Sequence, residues 1–519
     1  MLCLVFELRR NTRLGLPTPN LYHKMTKRPS WYTIGVAIFA ATGTFFFGFD
    51  TGIATTTIAH DSWKEYMKHP PQPLVGGVAA IYVGGETVGA ILQTTVGDRL
   101  GRIRFMQLAS IIVTIGVVIQ TASQNMPMFL TGRGIAGVGV GAMVGTVPVY
   151  LSEIAAPHQR GLVAGISGLG IAFGTMTSNW VGFACAFAPY GPVQWRLPLA
   201  TQIPWGVLLF IGLCTFMPDS PRHLIRRGEI DKARAEFAKI RRDLHSHEAQ
   251  HEFNLSVAQI QFEQNRELKS YRETFKLLRH RILVCIGVLL MTSLVGSAVV
   301  LYNQTILYKS LGLPEKTVIA MAGVYGTLSF ISNVLTNRYL ADQWGRRKMM
   351  LTGLTGIIIT LTYTAIMQHE FQHTDNQIGK GFTVLGLFLY GIVYYGMLNS
   401  TSWTYGAEIV PVASRSKAMG LGAASHFIAN VALTEAGPTA FATIHENYYY
   451  VFVGFTAFYL VVGYFYFPET KNKTLEEVAA AFGDRLVTLG EPLVSAKENV
   501  YEKQAVTEEV ESGKHEERP

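Results

Sequence analysis

Residues 98–102 read DRLGR and residues 342–346 read DQWGR, so one charged loop occurs twice in the chain, at an offset of 244 residues. Two further motifs occur twice at similar offsets. Glu153 and Glu408, each followed by a Pro and an Arg, lie 255 residues apart. PDSPR at 218–222 and PETK at 468–471 lie 250 residues apart. Self-similarity at a nearly constant offset indicates a duplicated structural unit.

The composition is that of a membrane protein. Of the 519 residues, 49% are apolar and 15% are charged, against about 25% charged residues in an ordinary soluble domain. The apolar residues form twelve blocks, most of them near the roughly 20 residues that cross a bilayer as a helix. The blocks lie at about 32–54, 74–97, 105–123, 128–151, 162–186, 198–217, 282–307, 317–340, 349–368, 382–408, 417–440 and 449–467. Together with the repeat, they predict an all-α membrane protein with twelve transmembrane helices in two pseudo-symmetric halves of six.

The charges of the loops predict the orientation and the division of the chain. Loops rich in Lys and Arg stay in the cytoplasm, and the predicted outer loops hold only Lys64, Lys68, Arg196, Lys309, Lys316 and Lys380. We therefore predict that both termini are cytoplasmic. The plasma membrane is the default expectation for the location. The predicted parts are a cytoplasmic N-terminus 1–31, a six-helix half 32–217, a cytoplasmic helical linker 218–280, a second six-helix half 281–468 and a cytoplasmic, mostly disordered tail 469–519.

Several classes of function find no support in the sequence. The net charge of +8 lies mainly beside predicted spans, without the aromatic interleaving or motifs of a nucleic-acid-binding protein. There is no phosphate-binding loop, zinc spacing or nucleophile motif, which argues against an enzyme. We predict no cofactor, no metal site and no nucleic-acid partner; the expected partners are a small-molecule substrate, protons and the lipid bilayer, with the chain as a monomer.

Six motifs occur along the chain in a fixed order. They are FGFD at 47–50, the two loops quoted above, Arg133 with Gly137, Gly139 and Gly141, PVYLSE at 148–153, PDSPR at 218–222 and PETK at 468–471. In kind and order they resemble the sugar porter family of the major facilitator superfamily, in particular its fungal-type members, from about residue 47 to residue 477. The resemblance implies transport by alternating access, with the substrate site between the halves near the middle of the bilayer.

This resemblance implies that charged residues at the predicted cytoplasmic helix ends form a gate. In the family, such residues break and reform contacts as the carrier alternates between its two faces. Their positions here are Asp98, Arg99, Arg102, Glu153, Arg160, Asp342, Arg346, Arg347, Glu408 and Arg415. The alternative is a set of solvated helix caps that only fix the topology. The gate is favoured because charges buried at repeated positions are costly unless they are paired.

Asp50 is predicted to lie deep in the first span, among four phenylalanines. An unpaired carboxylate is costly there, and Arg133 near the start of the fourth span is the best partner in the same half. In proton-coupled members of the family, the matching Asp and Arg form the proton site. Asp50 and Arg133 are therefore the predicted proton-coupling residues; the alternative is a static structural pair.

The predicted substrate pocket departs from the family pattern. Members that bind hexoses use amides on helices 5, 7 and 11 and a Trp on helix 10. The predicted pocket residues here are Gly168, Thr292, Ser293, Ala298, Tyr302, Trp403, His426, Phe427 and Asn430. Four of the amide positions hold Gly168, Thr292, Ser293 and Ala298, and His426 and Phe427 replace an Asn–Trp pair on helix 11, whereas Trp403 and Asn430 are retained. Because each amide can donate and accept hydrogen bonds to paired ring hydroxyls, their loss predicts that glucose is not an ordinary substrate. His426 as a packing residue and Trp403 as a lipid-interface aromatic remain alternatives.

These observations favour a secondary transporter, proton-coupled, for a sugar, polyol, sugar acid or related small molecule. Two other functions remain open. The altered pocket is compatible with an exporter of a metabolite in the same fold. A non-transporting nutrient receptor is the third, although such receptors usually carry a longer signalling tail.

Overall fold

The computed structural model describes residues 31–155, 160–241, 247–265, 271–411 and 414–471, together with Lys473, Val478 and Phe482. Within these residues, all regular secondary structure is helical. The predicted N-terminal segment and most of the predicted tail lie outside the described residues, so their predicted character stays a prediction.

Twelve long helices, α1 to α12, follow one another along the chain. They are α1 (Trp31–Ala59, interrupted at Ala41), α2 (Gln72–Leu92, continued by the π-helical turn Gln93–Gly97), α3 (Arg102–Thr121), α4 (Met126–Ile154), α5 (Arg160–Cys185), α6 (Pro192–Thr215, interrupted at Thr201), α7 (Tyr271–Leu294 and Ser297–Ser310), α8 (Glu315–Tyr339), α9 (Arg346–Phe371), α10 (Gln377–Ile409, with the π-helical segment Tyr394–Asn399), α11 (Arg415–Thr443) and α12 (Tyr448–Tyr466). The predicted fold class, an all-α membrane protein with twelve transmembrane helices, is confirmed.

Ten of the twelve helices are also apolar enough, over their described residues, to cross a membrane on composition alone. The other two, α5 and α11, are long enough but do not meet the same criterion over their described residues. Their buried polar side chains include Thr175, Ser178, Asn179, His426, Asn430 and Thr434. Side chains that face other helices need not be apolar, since they do not meet lipid.

The predicted seventh span is not one continuous helix. α7 begins at Tyr271, inside the predicted linker, and is interrupted after Leu294. Gly296 lies at the interruption with φ +91°, in the left-handed region, where a glycine avoids the steric penalty of a Cβ. The segment after the break, Ser297–Ser310, is therefore free to take a direction of its own.

The packing of the helices repeats between the halves. In the first half, α5 packs on α1, α4 on α2 and α3, and α6 on α3; in the second, α11 packs on α7, α10 on α9, and α12 on α9. Across the halves, α5 packs on α8 and α2 packs on α11. α5 corresponds to α11 and α2 to α8 in the duplicated unit, so the two contacts are equivalent. The interface between the halves is therefore itself pseudo-symmetric.

Among the described residues, three less apolar helices connect the halves: Pro221–Arg226, Ile230–Arg241 and His247–Asn265. They share an apolar cluster that includes Leu224, Phe237 and Phe253. Arg241 Nη1 donates to the Ile154 carbonyl at 3.1 Å, which is one of the carbonyls left unpaired at the end of α4. The connecting helices are thus attached to the first half at the end of α4. The exact boundaries of the five parts stay a prediction.

Two adjacent glycines of α2 give a matched test of how closely α2 and α4 approach. A Cβ on Gly85 would overlap the Gly134 carbonyl of α4, whereas a Cβ on Gly84 has nothing within 4 Å. Alanine favours a helix over glycine by about 1 kcal/mol, so Gly84→Ala should leave the melting temperature unchanged or raise it. Gly85→Ala should lower it, because overpacking typically costs about 1–3 kcal/mol. Thermal unfolding of the two purified variants in detergent measures the difference, and equal melting temperatures would contradict the packing.

Candidate functional site

Buried ion pairs hold the end of the bundle where α4 and α10 finish, which we call the charged end. In the first half, Arg102 Nη2 lies 2.9 Å from Glu153 Oε1. The Ser220 hydroxyl donates to the other carboxylate oxygen of Glu153. Arg102 Nη1 lies 3.2 Å from Nδ1 of His223. Glu153 is therefore held by α3 and by the segment after α6 at once.

The second half repeats this arrangement. Arg346 Nη2 lies 2.9 Å from Glu408 Oε1, and the Thr470 hydroxyl donates to Glu408 Oε2 at 2.7 Å. A tyrosine three residues before each glutamate also repeats. Tyr150 donates to the Pro218 carbonyl at 2.7 Å and Tyr405 to the Pro468 carbonyl at 2.9 Å. The three repeated motif pairs of the sequence thus meet in space, once in each half.

The four residues of these ion pairs are buried, so they are not solvated caps. Arg102 and Arg346 follow Gly101 and Gly345, whose φ values of +89° and +90° suit glycine. Each sharp turn points its arginine inward. Removing one partner of a buried pair typically costs about 3–5 kcal/mol, because the other charge stays buried without compensation.

The remaining predicted gate residues are placed differently. Arg99 is exposed. Arg347 is half-buried, donates to the Tyr464 carbonyl, and its backbone N–H donates to Glu469 at 3.1 Å. Arg415 is buried and donates through Nη2 to the Val410 carbonyl at 3.1 Å. The side chains of Asp98, Arg160 and Asp342 lie outside the described part of the structure.

Polar contacts join the two halves along the whole interface. At the charged end, Arg415 Nη1 lies 3.5 Å from the Ser152 hydroxyl, and Asn337 of α8 donates to the Leu162 carbonyl of α5 at 3.3 Å. Toward the opposite end, Trp180 of α5 donates to Thr327 of α8 at 2.8 Å. The halves therefore contact each other at both ends of the bundle in this structure.

Asp50 and Arg133 form a fully buried ion pair in the first half. Arg133 Nη1 donates to Asp50 Oδ2 at 2.8 Å, and Gln202 of α6 donates to Oδ1 at 3.0 Å. Arg133 also reaches Gln120 Oε1 of α3 at 3.5 Å. Its guanidinium lies 4.1 Å from the ring centroid of Tyr82 on α2, a cation–π geometry. This one arginine therefore contacts α1, α2 and α3 from α4.

His426 is the centre of a hydrogen-bonded cluster in the second half. The Thr292 hydroxyl donates to the Leu289 carbonyl at 2.6 Å and the Ser293 hydroxyl to the His426 carbonyl at 2.8 Å. Both hydroxyls can then accept from Nδ1 of His426, at 2.8 and 2.6 Å. Asn430 Nδ2 lies 3.1 Å from Nε2 and can only donate. These contacts fit a neutral imidazole that carries its proton on Nδ1, with both ring nitrogens hydrogen-bonded to protein groups.

Aromatic rings surround this cluster. The ring centroid of Trp403 lies 5.6 Å and that of Phe427 lies 5.1 Å from His426. Phe47 of α1 lies 6.0 Å from Phe427 and brings an aromatic ring of the first half to the same place. Trp403 is buried, which rules out a lipid-interface position for it. The aromatic faces therefore belong to the interior of the bundle.

The other predicted pocket residues do not join the cluster. Asn399 donates to the Gly168 carbonyl at 3.0 Å, and a Cβ on Gly168 would overlap Ser400. A glutamine cannot occupy position 168 in this arrangement, because α5 and α10 approach too closely there. Ala298 is buried. The Tyr302 hydroxyl lies 3.3 Å from the Thr51 hydroxyl and so links α7 to α1 across the halves.

Sequence reasoning missed several residues of the buried polar clusters: Tyr82, Glu86, Gln120, Gln202 and His223. Glu86 had a usable signal, since an ionisable residue inside an apolar span is by itself a reason to suspect function. For the two glutamines, no sequence spacing connects α3 or α6 with Asp50. Only the packing of the helices brings them together.

Comparison with known proteins adds independent information. The family model for "Sugar (and other) transporter" matches residues 36–482. The chain is 29% identical over 455 residues to the MFS-type transporter criB of Aspergillus cristatus, covering 87% of this chain and 93% of that protein. It is 26% identical over 484 residues to the high-affinity glucose transporter of Kluyveromyces lactis, covering 89% and 87%.

Among solved structures, the proton:xylose symporter XylE bound to 6-bromo-6-deoxy-D-glucose is similar with a TM-score of 0.78 at 22% identity, covering 88% of this chain and 100% of that one. A partially occluded inward-open form of XylE from E. coli gives a TM-score of 0.68 at 20% identity, covering 85% and 99%. At these identities, the likeness concerns the fold.

Proposed function

Because this chain belongs to the sugar (and other) transporter family, we propose that it is a proton-coupled secondary transporter that moves a sugar, polyol, sugar acid or related small molecule by alternating access. The family makes it a membrane transporter and not an enzyme. The observation that carries the coupling proposal is the fully buried ion pair between Asp50 and Arg133.

Asp50 is the group that takes up the proton. As a carboxylate it accepts from Arg133 and Gln202, at 2.8 and 3.0 Å. A protonated Asp50 has no net charge, so its attraction to Arg133 falls. Since Arg133 also contacts α2 and α3, its release changes the packing of α1 against three helices. Protonation thereby favours one arrangement of the bundle over another, which is what coupling requires.

The charged end acts as the cytoplasmic gate. Its two buried ion pairs, Arg102 with Glu153 and Arg346 with Glu408, stabilise each half, and Arg415 with Ser152 lies across the halves. When this end opens, the contacts between the halves break, and the charged residues within each half exchange their partners. The scarcity of Lys and Arg in the opposite loops supports a cytoplasmic location of the charged end and of both termini. The plasma membrane is the default expectation for the site of action.

The substrate site lies between the halves, at the aromatic rings around His426. Phe47 comes from the first half and Phe427 and Trp403 from the second, and their faces suit the apolar face of a sugar or polyol. Among the described residues, Asn430 Oδ1 has no hydrogen-bond partner and is available to a substrate hydroxyl. Two relatives are named for glucose and xylose. The hydroxyls of Thr292 and Ser293, engaged with His426, replace the amides that hold hexoses.

This altered pocket also favours a second candidate, an exporter of a metabolite. Nothing in the arrangement of Asp50, Arg133 and the ion pairs sets the direction of transport, because a carrier runs down the sum of its gradients. A transport screen in both directions separates the two functions.

The gate proposal predicts that Arg102→Ala lowers the maximal transport rate about tenfold, corresponding to about 1.4 kcal/mol on the barrier, with little change in the half-saturation concentration. Arg102 pairs with Glu153 and touches none of the predicted pocket residues in the described contacts. Initial rates against concentration, normalised to transporter in the membrane, measure this. Arg99→Ala is the control, since Arg99 is exposed in the same loop. A raised half-saturation concentration with a normal maximal rate would contradict the role.

The coupling proposal predicts that Asp50→Asn abolishes uphill accumulation but retains part of the downhill exchange. Asparagine occupies the same space beside Arg133 and cannot bind or release a proton. The measurement is substrate flux into vesicles with and without an imposed proton gradient. Asp61→Asn, at an exposed aspartate beyond α1, should behave as the unmodified protein. Uphill accumulation by Asp50→Asn would place the proton site elsewhere; indifference of the unmodified protein to the gradient would make Asp50 structural.

The pocket proposal predicts that glucose is neither transported well nor a strong competitor of the true substrate. Labelled glucose, polyols and sugar acids are compared in carrier-deficient cells, for uptake and for efflux. The glucose transporter of Kluyveromyces lactis serves as the positive control in the same cells. Saturable glucose uptake in the micromolar to low millimolar range would contradict the prediction, because it would show that glucose binds without the amides.

A further inference from the structure

Glu86 is a buried acid that the transport mechanism above does not use. It lies in the middle of α2 with no exposed surface. Within the described residues, neither of its carboxylate oxygens has a hydrogen-bond partner of good geometry. On one side, a Cβ at Gly141 of α4 would overlap its backbone.

The ionisable groups that act electrostatically on Glu86 are those of the Asp50 cluster. They are Tyr82 one turn earlier on α2, Asp50 on α1, Arg133 on α4 and Tyr302 on α7. α11 also packs against α2, and its acidic residue is Glu435. Glu435 lies 4.0 Å from the position that a Cβ of Gly76 would take, and Gly76 is ten residues before Glu86 on α2. Glu86 thus belongs to the same buried group of charges as Asp50.

This cluster contains two carboxyl groups and one arginine. Arg133 is bonded to Asp50 at 2.8 Å and covers the ring of Tyr82 at 4.1 Å, and no other cation in the described part of the chain forms an ion pair with Glu86. An ionised carboxylate without a partner is strongly disfavoured inside an apolar bundle, and two carboxyl groups that share a site cannot both ionise easily. The cluster is balanced when it holds one proton.

We propose that Glu86 is a second proton-binding acid of the transport site, and that Arg133 exchanges its partner between Asp50 and Glu86. In the arrangement seen, Glu86 carries the proton and Asp50 is the carboxylate paired with Arg133. When Asp50 takes up a proton, Arg133 turns to Glu86, and Glu86 releases its proton. The cluster holds one proton before the exchange and one after it. For each proton that Asp50 takes up, Glu86 releases one.

This exchange gives the cluster a link to the interface between the halves. Tyr302 faces Glu86 from the second half, and its hydroxyl lies 3.3 Å from the Thr51 hydroxyl on α1. A charge that appears on Glu86 is therefore next to a contact between the halves. The proton-release role rests on the proposed proton-coupled transport, whereas the charge state of Glu86 does not.

Infrared spectroscopy of the full-length protein in vesicles tests the charge state directly. The unmodified protein should show the carbonyl stretch of a protonated carboxylic acid that Glu86→Gln lacks. Asp50→Asn should lose this band as well, because Glu86 then ionises to pair with Arg133. Glu435→Gln, an exposed glutamate at the end of the α2–α11 contact, should keep it. A spectrum without a Glu86 band in the unmodified protein, or with the band unchanged in Asp50→Asn, would overturn the proposal.

Combining the substitutions tests the exchange of partners. Asp50→Asn with Glu86→Gln leaves Arg133 without any carboxylate, so the yield of folded protein and its melting temperature should fall by more than the sum of the single losses. Additive losses would refute the exchange, and a double variant that does not fold while both singles do supports it. These readouts do not require transport. A protein that ignores an imposed proton gradient would defeat the proposed coupling and leave the infrared result to decide the charge of Glu86.

Discussion

Charges inside this bundle have to be balanced where they stand, because the surrounding lipid and apolar side chains offer no solvation. That constraint accounts for the placement of the buried ion pairs. Arg102 meets Glu153, Arg346 meets Glu408, and Arg133 meets Asp50, each within 2.9 Å. Each pair joins two different helices, so a charge that changes its state must change the helix packing with it. A carrier that alternates between two arrangements can use this dependence.

The two halves share a framework and differ in their interiors. The framework is the Arg–Glu pair with a serine or threonine hydroxyl and a Tyr–Pro hydrogen bond, present once in each half. The interior of the first half holds the charged cluster of Asp50 and Arg133, and that of the second holds the neutral cluster of His426. In the proposed mechanism, proton binding belongs to the first half, whereas the substrate site around His426 also takes Phe47 from the first half. The halves meet again at the contact of Thr51 with Tyr302.

Much of the fold could be predicted because a bilayer imposes length and apolarity on each span, and because the duplicated loops mark corresponding helix ends. The pairing of Asp50 with Arg133 was predictable for a related reason: a buried charge in one span requires an opposite charge in another. Prediction was weaker for the pocket. Gly168 corresponds to a family amide, yet it lies against Ser400 at a close helix contact. Such a contact depends on how two helices cross, which no spacing along one helix reveals.

The sequence by itself determined the number of spans, the duplication and the residue types at the charged end, since these follow from hydropathy and from local motifs. The tertiary structure alone decided which polar groups share a site. Gln202 and Gln120 reach the Asp50–Arg133 pair, Glu86 faces the same arginine, and both ring nitrogens of His426 are engaged by neighbours on α7 and α11. The physical reason is that hydrogen bonds and ion pairs act over a few ångströms, and those distances exist only after helices far apart in sequence have packed together.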